Sequence, residues 1–222
     1  MNILAFDCSS RVGSVAISVD GRVAFRDKID SQITHSQRLI PQIDKALKHL
    51  KLPIEEIDLI VVSIGPGSFM GIRIGLTTAK AICFSKQIPL QTFSTLEVMA
   101  FDHFGKGADV IPIIPARGGY IYGACYNSLG KVKIEPTFQL ADDFFRVIKS
   151  DFILAGNKLD EVKSILSNKK YKCVKKELNL APILLKMAKP SCYNYKKISL
   201  IEPLYLQKSQ AEKELGKRKI LG

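Results

Sequence analysis

The sequence predicts an α/β protein built as two lobes, the second of them reduced. Three observations carry this reading. Residues 1–104 read in the order strand, strand, strand, helix, strand, helix, strand, helix. Within that run, residues 59–64 (LIVVSI) are short and nearly all apolar, which suits a strand buried on both faces of a largely parallel sheet. After Gly105, Lys106 and Gly107 the order restarts, with strands expected at 110–115, 120–127 and 131–138, a helix at 141–148 and a strand at 152–154. The chain then thins into short lysine-rich pieces. The expected divisions are a first lobe over 1–104, a reduced second lobe over 105–200, and a tail over 201–222. The tail's helix, near 209–217, is expected to fold back on the first lobe.

Each element has its own signal. Residues 2–6 are apolar and end at Asp7, Cys8, Ser9 and Ser10. Residues 13–19 alternate, and Asp20 with Gly21 is a strong hairpin turn before a third strand at 22–29. Thr34 and Gln37 match a capping box that opens the first helix. Leu39, Ile43, Leu47 and Leu50 follow at helical spacing, Ile40 and Pro41 widen the stripe, and Leu52 with Pro53 ends it. Residues 88–93 read as the next strand, and Ser94 with Glu97 repeats the capping-box spacing before a third helix. This order is that of the ribonuclease H-like lobe, which occurs twice in the actin, sugar kinase and Hsp70 superfamily.

The rest of the chain is organised around residues 58–86. Gly65, Pro66 and Gly67 break the buried strand, and Ser68 is placed to cap the helix that runs from 70 to 86. One face of that helix carries Ile72, Leu76, Ala79 and Cys83; the opposite side carries Gly71, Ile74, Thr78, Ala81, Ile82 and Ser85. Only Arg73, Lys80 and Lys86 are charged. A helix that is apolar nearly all round needs cover on two sides. Its own sheet supplies one; the other is either a partner or the interior of one large domain. A chain of this length rarely buries a helix completely, which favours the partner. Small residues at Gly71, Gly75, Thr78 and Ala79 would let another backbone approach.

Composition narrows the class. The net charge of +12 lies almost wholly in the second half: residues 1–111 hold 12 Lys and Arg against 11 Asp and Glu, and residues 112–222 hold 21 against 10. Either an anionic partner such as RNA or a lysine-rich solvated surface accounts for this. The five cysteines are scattered with no C-x-x-C pair, which fits reduced thiols in a cytoplasmic protein rather than a disulfide or zinc framework. No membrane span and no signal peptide are expected. The three histidines, His35, His49 and His103, show no paired spacing, and His35 reads either as a ligand or base or, more in keeping with its isolation, as a capping or interface residue.

Further residues carry a specific resemblance. The run from Gly65 through Gly75 (GPGSFMGIRIG) resembles the glycine-rich signature of the bacterial TsaB family, also called YeaZ, of tRNA threonylcarbamoyladenosine biosynthesis. The ILAFD start with Gly13, Ser14, Val15 and Ala16 agrees. So do His35 and Ser36 leading to Leu39, Ile40 and Pro41, Ala116 and Arg117 followed by Tyr122, and the tail Pro203, Leu204, Tyr205, Leu206 and Gln207. The resemblance covers essentially the whole chain. It implies a non-catalytic paralogue that pairs with and activates TsaD, which transfers a threonylcarbamoyl group to N6 of adenosine 37 in tRNAs reading codons that begin with adenine. It implies pairing through the first and second helices, a homodimer when alone, contact with the ATPase TsaE, and tRNA met through the complex.

On this reading the interface candidates are Leu39, Ile43, Ile72, Arg73, Gly75, Leu76, Ala79, Lys80 and Cys83. The resemblance also implies what is missing. TsaD holds its metal through two histidines four residues apart; Thr95 and Met99 align with them, so no metal ligands and no catalytic residues are expected here. Pro115 stands where active ATPases of the superfamily have an aspartate, and residues 155–158 (AGNK) keep one glycine of an adenosine-binding pair. ATP and a divalent metal are expected of the complex and not of this chain. Asp7, Ser9, Gly65, Gly67 and Ser68 form a possible vestigial phosphate site, although Asp7 equally suits a turn cap. The turn is no P-loop, since Gly-Lys-Ser/Thr is absent and Pro66 removes a backbone donor. Two other classes stay open: an autonomous ATPase or small-molecule kinase resting on Asp7 and the glycine turn, and an RNA-binding module resting on the basic half.

Overall fold

A computed structural model describes residues 1–29, 35–175 and 179–207. The capping box at Thr34 and the helix expected at 209–217 lie outside the described residues. The first sheet opens with an antiparallel meander, β1 (Ile3–Asp7), β2 (Gly13–Val19) and β3 (Arg22–Ile29). The turn from β2 to β3 places Asp20 and Gly21 at φ 47° and 78°, the left-handed pair that a two-residue hairpin favours. Helix α1 (His35–Leu50) leads to β4 (Leu59–Ser63), α2 (Phe69–Lys86) to β5 (Leu90–Phe93), and α3 (Thr95–Phe101) follows. The strands β1, β4 and β5 are parallel, giving the order β3-β2-β1-β4-β5.

The second sheet repeats that plan. β6 (Asp109–Pro115), β7 (Tyr120–Tyr126) and β8 (Val132–Leu140) form the meander. Helix α4 (Ala141–Arg146) leads to β9 (Phe152–Gly156), and β10 (Tyr171–Lys175) completes the order β10-β9-β6-β7-β8. Helices α5 (Ala181–Met187) and α6 (Tyr195–Ser199) close the described chain. No helix among the described residues is long and apolar enough to cross a membrane.

Alternation assigns each strand residue to a layer. Leu4, Phe6, Ile60 and Val62 pack under α1 and α2, whereas Ile3, Ala5, Leu59 and Val61 pack into a layer between the lobes. That middle layer holds two exchanged helices. Helix α3, which follows the first sheet, packs on β6 and β7; α5, which follows the second, packs on β1 and β2. The Ala181 N–H donates to Ser14 Oγ at 3.0 Å, fixing α5 to the first sheet. The chain therefore returns to the first lobe already at α5, before residue 201. Leu180, Ile183, Leu184 and Met187 supply the apolar face that this side of the first sheet needs.

One correction concerns α3. Ser94 makes no side-chain capping bond. Instead the Thr95 N–H donates to the Gly65 carbonyl at 2.7 Å, tying the helix start to the glycine turn. Glu97 is half-buried, and burial raises its carboxyl pKa against the partial offset of Lys189.

Candidate partner face and glycine turn

Three segments meet at the carboxyl ends of β1 and β4. Asp7 ends β1 with 1% exposure. Its Oδ1 accepts from the Ser9 N–H at 3.2 Å and from the Ser63 hydroxyl at the end of β4. The carboxylate thus caps its own turn and ties two parallel strands together.

The glycine turn is pressed directly onto that turn. A Cβ on Gly67 would lie 2.1 Å from the Ser9 carbonyl oxygen, and one on Gly71 would lie 2.0 Å from that of Cys8. Only glycine permits either approach. The Ser68 N–H donates to the Ser9 carbonyl at 2.6 Å, and Ser68 Oγ accepts from the Gly71 N–H at 3.2 Å, so Ser68 caps α2 as expected. Asp7, Ser9, Gly65, Gly67 and Ser68 are brought together, but backbone of residues 8 and 9 sits where a phosphate would approach the turn. Two N–H donors that would cradle it are already taken.

The tail crosses the same end of the sheet. The Leu204 N–H donates to the Ile64 carbonyl at 2.8 Å. Arg73 Nε donates to the Tyr205 hydroxyl at 2.6 Å, its guanidinium lies 3.8 Å over the Phe69 ring, and Phe69 and Tyr205 stand 5.3 Å apart. Gln207 accepts from Tyr122 of the second sheet at 3.1 Å, so the tail straps the lobes together. Tyr205→Ala removes a ring contact and a hydrogen bond, and is expected to cost about 1–2 kcal/mol of stability. The urea midpoint checks this; an unchanged midpoint would leave the strap without energetic weight.

The two faces of α2 are now assigned, and most of the expected interface residues lie on the inner one. Leu39, Ile43, Ile72, Gly75, Leu76, Ala79 and Cys83 are buried against the chain's own sheet, Leu39, Ala79 and Cys83 completely. The reason is steric: this is the face whose small residues let α2 settle onto the turn after β1. The two cations are also engaged within the chain, Arg73 by Tyr205 and Lys80 by the Ser199 carbonyl at 3.0 Å. Helix α6 packs beside them, with Phe84 and Tyr195 rings 4.9 Å apart.

The uncovered side is the other one. A groove of about 310 Å³ runs between α1 and α2, lined by Ile40, Ile43, Thr77, Thr78, Ala81 and Ile82. Ile40 is 62% exposed. Ile43 belongs both to the expected interface set and to this groove, as its floor. Thr78, Ala81 and Ile82 were legible as the second side of α2; Thr77 was not, because threonine at one exposed helical position carries no signal of its own.

Cysteine chemistry follows the same burial. Burial holds the Cys83 thiol up to about 12 and the Cys125 thiol to about 11; burial, with Asp7 beside it, also raises Cys8. The thiolate is the nucleophile, so these three stay protonated and inert at pH 8. Iodoacetamide on the folded protein is expected to label Cys173 and Cys192, which are exposed, and no others. A third labelled site, read by peptide mass spectrometry, would contradict the packing. Thr95 and Met99 are buried between the lobes, and no group of three or more His, Cys, Asp or Glu capable of holding a metal occurs among the described residues.

Comparison with known proteins agrees with this architecture. A family model described as TsaD, tRNA N6-adenosine threonylcarbamoyltransferase, matches residues 29–215. A protein of Bacillus subtilis (strain 168) named tRNA threonylcarbamoyladenosine biosynthesis protein TsaB is 32% identical over 127 residues, 57% of this chain and 56% of that one. The protein of the same name from Haemophilus influenzae (strain ATCC 51907 / DSM 11121 / KW20 / Rd) is 32% identical over 140 residues, 62% and 58% of the two chains. The chain thus spans just over half the length of the curated relatives it matches. YeaZ from Pseudomonas aeruginosa shares the fold at TM-score 0.73 and 24% identity, covering 92% of this chain and 99% of that one. A Bacteroides thetaiotaomicron protein with an actin-like ATPase fold superposes at TM-score 0.50 and 8% identity over 83% and 95%. The chain belongs to the family described as TsaD, tRNA N6-adenosine threonylcarbamoyltransferase, and within it groups with TsaB (YeaZ).

Proposed function

We propose that this chain is a non-catalytic subunit in tRNA threonylcarbamoyladenosine biosynthesis, one that pairs with a TsaD paralogue and activates its transfer of threonylcarbamoyl to N6 of adenosine 37. The observation that carries the pairing is the apolar groove between α1 and α2, where Ile40 stands exposed beside Ala81 and Ile82. An apolar helix face left without cover is a docking surface, and two such helices facing a similar pair would form a four-helix contact. The glycine turn supports the accessory role, since its donors are used by Ser9 and Ser68. ATP and a divalent metal belong to the complex in this reading, as do TsaE and the tRNA, and the free chain pairs with itself through the same groove.

The direct test is association. Mixed with the TsaD protein of the same organism, the chain is expected to elute as one heteromeric species in size-exclusion chromatography with light scattering. Separate elution at micromolar concentrations of both would overturn the pairing.

A further inference from the structure

We propose that the second lobe carries a separate site for the phosphate of a nucleotide, in a cavity beside the amino-terminal ends of β9 and β10. The cavity has a volume of about 420 Å³, within the size range of small-ligand pockets. Lys106, Lys170, Lys172, His103 and Tyr171 line it, with Asp151 the one carboxylate among the described lining residues. The lining comes from three separate places in the sequence: the connection after α3, the start of β9, and β10.

The charges do not cancel within the cavity. Lys170 Nζ lies 3.2 Å from Asp151, so that pair is internally balanced. Lys106 Nζ lies 3.1 Å from His103 Nδ1. An ammonium has only donors, so Nδ1 accepts in this contact, and His103 brings no carboxylate to offset Lys106. Lys172 forms no ion pair among the described residues. Lys106 and Lys172 therefore bring two uncompensated positive charges to one concave surface, an arrangement that an anion relieves and that a phosphate oxygen satisfies through charge-assisted hydrogen bonds.

The remaining wall is apolar. Ile153, Val174 and Ala108 contribute to it, and the Tyr171 ring is held flat against Phe152, 5.6 Å away at 11°. A ligand that combines a phosphate with a flat organic body matches both halves, and a nucleotide is that ligand. It comes either as a free mononucleotide or as an unpaired nucleotide of RNA. The site does not depend on the groove between α1 and α2 or on any partner bound there.

Isothermal titration of the full chain with inorganic phosphate, AMP and a single-stranded hexaribonucleotide tests the proposal. AMP or the hexamer is expected to bind saturably, with affinity that falls as salt rises. The double variant Lys106→Ala with Lys172→Ala is expected to weaken binding at least about tenfold. The control pair Lys163→Ala with Arg146→Ala removes two cations of the same lobe that are paired with Asp160 and Asp143, and is expected to leave binding unchanged. Tighter binding of the hexamer than of AMP assigns RNA as the source; equal binding assigns the free nucleotide. No saturable binding by any probe, equal loss in both pairs of variants, or phosphate binding as tightly as AMP would overturn the proposal.

Discussion

Gly71→Ala is expected to be among the most damaging conservative changes at the described residues. The new methyl would meet the Cys8 carbonyl oxygen at 2.0 Å, and that oxygen belongs to the turn held by Asp7 and Ser63. Backbone on both sides leaves nothing flexible to yield. The cost is expected to be about 3 kcal/mol or more, enough to unfold a marginal domain. Gly75→Ala is the matched control. Its Cβ would lie 3.5 Å from that of Cys8, an ordinary contact, and alanine gains about 1 kcal/mol of helix propensity over glycine. Urea midpoints of the two variants are expected to fall on opposite sides of a wide gap. Equal midpoints would mean that the turn after β1 does not press on α2.

The second large effect is expected at the groove. Ile40→Asp and Ala81→Glu each place a charge on the exposed apolar surface and are expected to weaken pairing with the TsaD protein by about 30-fold or more, with the thermal midpoint unchanged. Ala79→Asp behaves differently. Ala79 is fully buried on the inner face of α2, so its variant is expected to lose the fold and to say nothing about the partner. A folded Ile40→Asp chain that pairs as tightly as the unmodified one would place the interface elsewhere.

These two contrasts show what was legible in the residues. The hydrophobic patterns of the first half placed β1 to β5 and the helices among them: alternation marked β2, helical spacing marked α1, and continuous apolar runs marked β1 and β4. The glycine signature identified the turn, since the steric need for Gly67 and Gly71 is written in the residue type itself. The orientation of α2 was not legible. Its two sides, Ile72, Leu76 and Ala79 against Ile74, Ala81 and Ile82, differ little in hydrophobicity, and only the contact with Cys8 decides between them. Strand β10 was hidden for a related reason: Lys170, Lys172 and Lys175 around Tyr171 and Val174 read as solvated surface, although lysine is an ordinary guard on an edge strand. The exchange of α3 and α5 between lobes was beyond reach, because a seven-residue apolar helix fits either sheet by pattern alone.

The strap is a third case. The residues Pro203, Leu204 and Tyr205 stood out as a motif, yet nothing in them named Arg73 as the partner. That pairing depends on α2 presenting Arg73 beside Phe69 at the end of the sheet where the tail passes.

The central claim is that this chain is required for a reaction it does not itself perform. Reconstitution of threonylcarbamoyl transfer to tRNA from purified components of one organism, with and without the chain, tests it most directly. The account predicts transfer that depends on the chain, together with no turnover of nucleotide or adenylate by the chain alone. Transfer that proceeds equally well in its absence would contradict the account and bring forward an independent ATPase or kinase activity.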